Sequence, residues 1–564
     1  MISVSRKNWK EIKINHNIIE KYKQDYNLSE TISKIIISRN FNLDEIYTIN
    51  NELDFTNVFK NIEDFKISTK ILVDAINNKE KICILGDYDV DGSASTALFV
   101  KFFTKINHPH YYYIPDRERD GYGATKKLFK KLILKKPKLV IMVDCGSNSV
   151  EAINYLNQNN IKSIIIDHHE INKPYPLANI IINPKKDNGY KKYDYLCATT
   201  LTYFFLDILI KKINLKFIIK DYLIYVLMAT ICDVMPLRNI NRLIAINVLQ
   251  NFKINKNNVL KKIYNIKGIR NNLTVDDIGY LIGPILNSGG RLGKSEYATE
   301  LLSSNNDEII NKRANDLIIL NEKRKKIEDI IVKEINFDKI EKENKNIIII
   351  YKKNINEGLI GIIAARLKEY FNKPSLVITD SNNYLKGSAR SVNNFKIGSI
   401  IRNALDQDLL ISGGGHNMAA GFTLKKHKLI ELEKFLFETY DKHNIQKDNF
   451  SYYNAKISSI AFNKNFYSII KKIEPFGNNN PEPIFLFEDL KIIKTKIISN
   501  KHLSVIFKSK IGYSVNSISF NSINTKIGDC LLNYKKKLSV IGQIKENFWN
   551  NKYSIQLIIK DLLI

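Results

Sequence analysis

The sequence predicts an α/β protein: two α/β lobes joined by a long helix, followed by a C-terminal β-barrel of OB-fold size. Three observations carry this reading. Between residues 71 and 250, short β-branched apolar runs alternate with longer amphipathic stretches, as in a doubly wound parallel sheet. The run Asn346-Ile347-Ile348-Ile349-Ile350 opens a second such pattern, which lasts to about Tyr440. Beyond Lys442, five short alternating runs fall within roughly 110 residues, the spacing of a small closed barrel.

Residues 1–70 read as a polar-rich helical segment without a catalytic motif. In the first lobe (71–250) the expected strands are Ile82–Gly86, Tyr111–Pro115, Leu139–Asp144, Ser163–Asp167 and Ile180–Asn183. Two apolar helices follow over 196–235, with Asp233 near the end of the second. The linking region (251–343) contains a charge-dense stretch from Glu296 to Lys339, which reads as a long connecting helix with a solvated face. The second lobe spans 344–445 and the barrel 446–564, with strands expected at Leu490–Ile498, His502–Phe507, Tyr513–Phe520, Lys537–Ile544 and Tyr553–Ile559.

With 44% hydrophobic and 26% charged residues, the 564-residue chain is globular rather than disordered and too long for one core. A net charge of +28 points to an anionic partner, nucleic acid first. Ile, Lys, Asn and Tyr are abundant in the way an AT-biased genome produces, so individual arginines weigh more than the lysine count. The five cysteines, Cys83, Cys145, Cys197, Cys232 and Cys530, form no C-x-x-C pair; their odd number argues against a disulfide framework and fits a reducing cytosol. The start Met1-Ile2-Ser3-Val4-Ser5-Arg6-Lys7 has no apolar leader core, and no segment approaches a membrane span. A soluble cytoplasmic protein is expected.

The chemistry sits at the strand ends. Asp87-Tyr88-Asp89-Val90-Asp91-Gly92 follows the first strand, Asp144-Cys145-Gly146 the third, Asp167-His168-His169 the fourth, and Asp233 ends a helix. Each alone has a bland reading: an acidic loop, a helix cap, a structural histidine. Their joint placement at the carboxyl ends of parallel strands, where ligands bind, points to a divalent-metal centre.

The ordered set D-x-D-x-D-G, V-D-C-G, D-H-H and D-V-x-P-L resembles the DHH phosphoesterase superfamily, most fully its single-strand-specific 5′→3′ exonucleases. The match continues through Gly283–Gly293, Asn356–Ile362, Gly387–Ser391, Gly413–Gly421 and Pro475–Pro483, and covers nearly the whole chain from Asp54 to Asp561. The resemblance implies a metal-dependent exonuclease that releases 5′-mononucleotides from single-stranded DNA in recombination and repair. It implies two Mn²⁺ or Mg²⁺ ions among Asp87, Asp89, Asp91, Asp144, His168 and Asp233, with Asp144 as the bridge. Which of the first three aspartates serves which ion stays open. His169 would face the scissile phosphate, and Asp167 would orient a ligand. The substrate and its 5′-phosphate would meet Arg117, Asn287, Arg291, Ser388, Arg390 and the turn Gly414-Gly415-His416. In the barrel, Lys501, His502 and Trp549, with Phe520, Phe548 and Tyr553, are the side-chain types that track and stack a single strand. DNA helicases and a single-strand-binding protein are the implied partners of a monomer.

Three positions depart from the family pattern: Asn356 stands where histidine is common, Ile285 where arginine is, and Cys197-Ala198-Thr199-Thr200 where a glycine-rich turn is. They bear on substrate grip and rate, since every presumed ligand is present. Two other readings compete: a phosphodiesterase of short oligonucleotides or cyclic dinucleotides, which would not need the barrel, and a catalytically dead DNA-binding scaffold, which would lack ligands.

Overall fold

The computed structural model describes residues 3–50, 55–116, 119–121, 123–186, 190–269, 272–392, 395–442, 450–549 and 552–564. The chain forms two compact units, one of Asn57–Met235 with Asn251–Gln446, the other of Met1–Thr56, Pro236–Gln250 and Lys447–Ile564.

The larger unit begins with a five-stranded parallel sheet: β1 (Ile82–Leu85), β2 (His110–Tyr113), β3 (Leu139–Val143), β4 (Lys162–Ile166) and β5 (Ile180–Ile182), in the order β2-β1-β3-β4-β5. The apolar runs of β1 and β3 are buried along their whole length, as a sheet covered on both faces requires. Most strands stop just short of the expected end, because Gly86, Asp144, Asp167 and Asn183 leave the ladder to form loops. The order reverses between β1 and β3, the point at which an open α/β sheet offers a ligand crevice.

The Val90–Lys105 helix follows β1 and is buried almost throughout. Its small residues near the start, Gly92-Ser93-Ala94-Ser95, allow this depth, and the hydroxyls of Ser95 and Thr96 return to the carbonyls of Asp91 (2.7 Å) and Gly92 (2.7 Å). The two expected apolar helices are Ala198–Lys212 and Leu223–Cys232.

The charge-dense linker is three helices rather than one: Tyr297–Ser303, Asp307–Lys333 and Phe337–Glu343. The side chains of Asn306 and Asn336 accept backbone N–H groups and restart the helix each time, a capping signal that outweighs the continuous charge pattern. The middle helix is also not simply solvated. Arg324 is buried and donates to the buried Glu328 (2.7 Å), which also takes Arg366 of the Ile360–Phe371 helix.

That helix lies on a second, mixed sheet: β6 (Ile348–Tyr351), β7 (Ser375–Ser381), β8 (Tyr384–Arg390), β9 (Ser412–His416) and β10 (Ala419–Leu424), in the order β9-β10-β8-β7-β6. The opposite face is filled by Leu376, Ile378, Phe395, Ile401 and Phe422.

In the smaller unit, β11 (Phe485–Ile498), β12 (His502–Ser509), β13 (Ser514–Ser519), β14 (Leu538–Trp549) and β15 (Lys552–Leu563) run β11-β12-β13-β15-β14, and β11 pairs with β14 to close the barrel. A helix, Lys526–Asn533, joins β13 to β14. This is the closed Greek-key barrel expected, with longer strands: β14 and β15 pair from Ser539↔Leu563 to Trp549↔Lys552. The N-terminal residues are not only helical. Asn8–Glu11 is a strand parallel to Phe450–Tyr453, and helices His16–Tyr26, Glu30–Ser38 and Leu43–Tyr47 follow. Ile32, Ile35, Ile36 and Phe41 share a core with Phe485, Phe507 and Leu557 of the barrel.

Candidate metal centre and the glycine strand

Three strand ends and one helix end converge in the larger unit. Ligand atoms of Asp87, Asp89 and Asp144 lie within 4.8 Å of one another, as do those of Asp91, His168 and Asp233, and those of Asp144, His168 and His169. Asp144 and His168 each belong to two of these groups. Nε2 of His168 stands 3.2 Å from Asp144, 3.4 Å from Asp233 and 3.5 Å from Asp91. Asp144 is aimed by its backbone, held at φ +59° as the chain leaves β3, a conformation unusual for a non-glycine residue and one that clusters at functional sites. Gly92 is required by packing: a Cβ there would stand 2.5 Å from the backbone nitrogen of Asp87.

The electrostatics call for cations. Burial, then the charges of Asp91, Asp89, Asp87 and Asp233, hold the Asp144 carboxyl well above the usual range. Burial, then Asp91, raises Asp89, and burial, then Asp91 and Asp89, raises Asp233. Burial and the adjacent His169 charge push His168 down to about 4, so its imidazole is neutral, the form that ligates metal. One carboxylate oxygen of Asp144 and both ring nitrogens of His168 are buried without a hydrogen-bond partner. Hard oxygens with a neutral imidazole, buried and uncompensated, fit divalent cations of the Mg²⁺ or Mn²⁺ kind.

Asp167 stands behind this cluster. It accepts from the backbone of Ser147 (3.1 Å), His168 (2.7 Å) and His169 (3.1 Å) and from Nδ1 of His169 (2.7 Å). Burial alone would lower the His169 pKa; the Asp167 carboxylate, with Asp87 and Asp233 behind it, raises it to about 10. Asp91 accepts from the backbone of Ala198 (2.8 Å) and Thr199 (2.7 Å), so the non-glycine turn at Cys197 still offers amides to the first motif.

The segment Gly283–Gly290 clamps two parts of the cluster. A Cβ on Gly283 would stand 2.5 Å from Sγ of Cys232, beside Asp233, and one on Gly290 would stand 2.6 Å from the carbonyl of Tyr88. Asn287 accepts from the backbone of Val90 (3.1 Å), and Arg291 donates to the carbonyl of Gly358 (3.0 Å). Ile285 is fully buried in the apolar core, and Asn356 accepts from the backbone of Gly358 (2.8 Å), closing the turn before the Ile360–Phe371 helix.

On the second sheet, Ser388, Gly421 and Gly414 form one row across β8, β10 and β9, and Arg390, Ala419 and His416 form another on the same face. Space above Gly414 and Gly421 is open, so the sheet backbone itself is accessible there. Gly415, at φ +153°, approaches β10 closely. The N-terminal turn of the Ile360–Phe371 helix lies against this face, with Gly361 next to Ser388 and Arg390. Burial, then the charges of Lys185 and His169, lower the pKa of His416, which places the glycine strand within electrostatic reach of the metal cluster.

Sequence reasoning missed three contributors. The helix start at Ile360-Gly361 adds amides and a positive dipole end beside Ser388 and Arg390. Asn183, fully buried, donates to Ser147 Oγ (2.8 Å) and the His169 carbonyl (2.9 Å). Lys185 follows it, at the end of the fifth strand.

Of the remaining expected residues, Arg117 and the side chain of Trp549 lie outside the described residues. Lys501 is exposed at the start of β12, and His502 accepts from the backbone of Asn521 (2.8 Å) and meets the half-exposed ring of Phe520 edge-on at 5.2 Å.

Fold and donors together define an α/β protein whose parallel strands end at clusters of carboxylates and histidine that could hold divalent metal. Family models match in the order the architecture suggests: the DHH family N-terminal domain over 81–230, the DHHA1 domain over 344–442 and the RecJ OB domain over 453–561. The chain belongs to the DHH family, with the domain set of its RecJ members. It is similar to the single-stranded-DNA-specific exonuclease RecJ of Bacillus subtilis (26% identity, 99% of this chain and 71% of that protein). The RecJ of Haemophilus influenzae is 29% identical over 87% of this chain and 89% of that protein. The crystal structure of RecJ from Thermus thermophilus in complex with Mn²⁺ shares the fold, with a TM-score of 0.81 at 20% identity over 99% of this chain and 79% of that one. The Mg²⁺ complex from the same organism gives 0.75 at 20% identity, over 99% and 78%.

Proposed function

We propose that this chain is a divalent-metal-dependent exonuclease that degrades single-stranded DNA from the 5′ end and releases 5′-mononucleotides, in recombination and repair. The observation that carries the reading is the set of buried, mutually repelling carboxylates that share Asp144 and His168, in the same compact unit as a sheet face with open glycine backbone beside Ser388 and Arg390. In this reading Asp87, Asp89, Asp91, Asp144, His168 and Asp233 would hold two Mn²⁺ or Mg²⁺ ions, with Asp144 the donor that would serve as the bridge. Bound there, the ions supply an activated water for in-line attack and offset charge on the leaving oxygen. His169, its Nδ1 held by Asp167, keeps a proton directed at a phosphate oxygen. Ser388, Arg390, the amides of Gly414 and Gly415, His416, Arg291, Asn287 and Arg117 grip the 5′-terminal nucleotide. Lys501, His502 and Trp549 guide the strand along the barrel. Among the described residues no helix is long and apolar enough to cross a membrane. We further propose a cytoplasmic monomer that works with DNA helicases and a single-strand-binding protein.

The test is a digest with Mn²⁺ of internally labelled DNA that is single-stranded with a 5′-phosphate, single-stranded with a blocked 5′ end, or duplex. Mononucleotides from the open single strand alone, lost with chelator and with Asp144→Ala, are expected. Binding without cleavage by the unaltered protein would overturn the enzymatic reading.

A further inference from the structure

The fifth strand of the parallel sheet also ends at the metal centre, and the function proposed above gives it no task. After β5 the chain turns at Asn183-Pro184-Lys185-Lys186, closed by a hydrogen bond from the Lys186 backbone to the Asn183 carbonyl (3.0 Å). The Asn183 side chain fixes this turn from inside: its oxygen accepts from the Lys185 backbone (2.9 Å), while its amide reaches Ser147 and the His169 carbonyl. Lys185 is thereby tied in register with His169. Its ammonium stands 3.3 Å from the carboxylate of Glu170, the residue after His169.

A surface ion pair is the plain alternative, and such pairs are usually weak. Three features set this one apart. The Lys185 side chain is 19% exposed against 53% for Glu170, so the cation is held and the anion is not. The backbone on both sides of Lys185 is pinned. The same turn is tied through the Asn183 amide to the His169 carbonyl (2.9 Å), next to His168 of the donor cluster. The half-exposed Glu170 carboxylate can give way to a phosphate without new burial of charge.

We propose that Lys185 is a substrate-binding residue of this site, contacting a backbone phosphate of the bound strand in place of Glu170, with Asn183 as its positioning residue. The proposal rests on the reading of the site as one that binds single-stranded DNA. The test measures affinity of the full-length protein for a 5′-phosphorylated oligodeoxynucleotide across a salt series, with Ca²⁺ replacing the catalytic ion to prevent turnover. Expected for Lys185→Gln is a loss of about tenfold in affinity and a salt slope shallower by about 0.7, one phosphate contact. Lys185→Arg should restore most of both, Glu170→Gln should bind as tightly or more tightly, and melting temperatures should stay unchanged. Parent-like affinity and slope for Lys185→Gln would overturn the proposal while leaving the functional reading intact. Failure of the unaltered protein to bind the strand would overturn both.

Discussion

The Asp167 carboxylate accepts four hydrogen bonds, three from the loop that carries His168 and His169 and one from Ser147, and belongs to none of the metal-donor groups among the described residues. An amide in its place sets an N–H₂ against at least one of those donors and replaces the charge that holds His169 with a neutral acceptor. Asp167→Asn should lower kcat about 10–100-fold, the range for residues that orient a metal site's inner groups, with Mn²⁺ affinity changed far less. Steady-state rates and metal titration separate the two. Glu474 gives a pH prediction at the same scale. Burial pushes its carboxyl up to about 7, against the pull of Lys471. The folded protein therefore holds a proton that the unfolded chain, near 4.5, has released. Stability should fall as pH rises from about 4.5 to about 7, and Glu474→Gln should flatten that part of the profile and melt higher than the parent at pH 8. A parent-like slope in thermal melts of the variant would refute this. The resemblance already implied that Asp167 orients a ligand, whereas Glu474 carried no signal in the sequence, because its burial and neighbours are properties of the fold.

At the scale of elements, the strand ends were legible and the termini were not. Short β-branched apolar runs such as Val140-Ile141-Met142-Val143, bounded by turn signals, fit a covered strand, so Asp144 was expected at a strand end. The first residues offered no such signal, yet they complete the barrel unit. Asp561 of β15 is fully buried and accepts from the Ser5 backbone (3.2 Å), from the Ser5 hydroxyl and from Nε1 of Trp9 (2.8 Å). Trp9→Phe removes one donor from a buried charged acceptor and should cost about 1–3 kcal/mol in denaturant unfolding of that unit. The broken linker teaches the same lesson: caps at Asn306 and Asn336 are local and readable, but the long charge pattern outvoted them.

At the scale of the molecule, the carboxylate cluster is a liability that metal removes. Asp144→Asn should melt higher than the parent in chelator, because it deletes a buried charge that four neighbouring aspartates repel, and should gain less from Mn²⁺. Melting curves with and without Mn²⁺ give both differences, and a destabilised variant in chelator would contradict the electrostatic account. The larger unit thus holds a site at some cost in stability, as functional sites commonly do.

By itself, the sequence determined the α/β class, the strands that end in acids and the barrel, because hydrophobic period and turn chemistry act over a few residues. Only the tertiary structure decided which side chains share Asp144, that Gly283 and Gly290 clamp the cluster, and that Gly361 stands beside Ser388 and Arg390. It alone brought Lys185 to Glu170, and joined the N-terminal residues to the barrel unit. Those contacts join segments tens to hundreds of residues apart. Close packing and burial set them, and no local pattern in the chain encodes either.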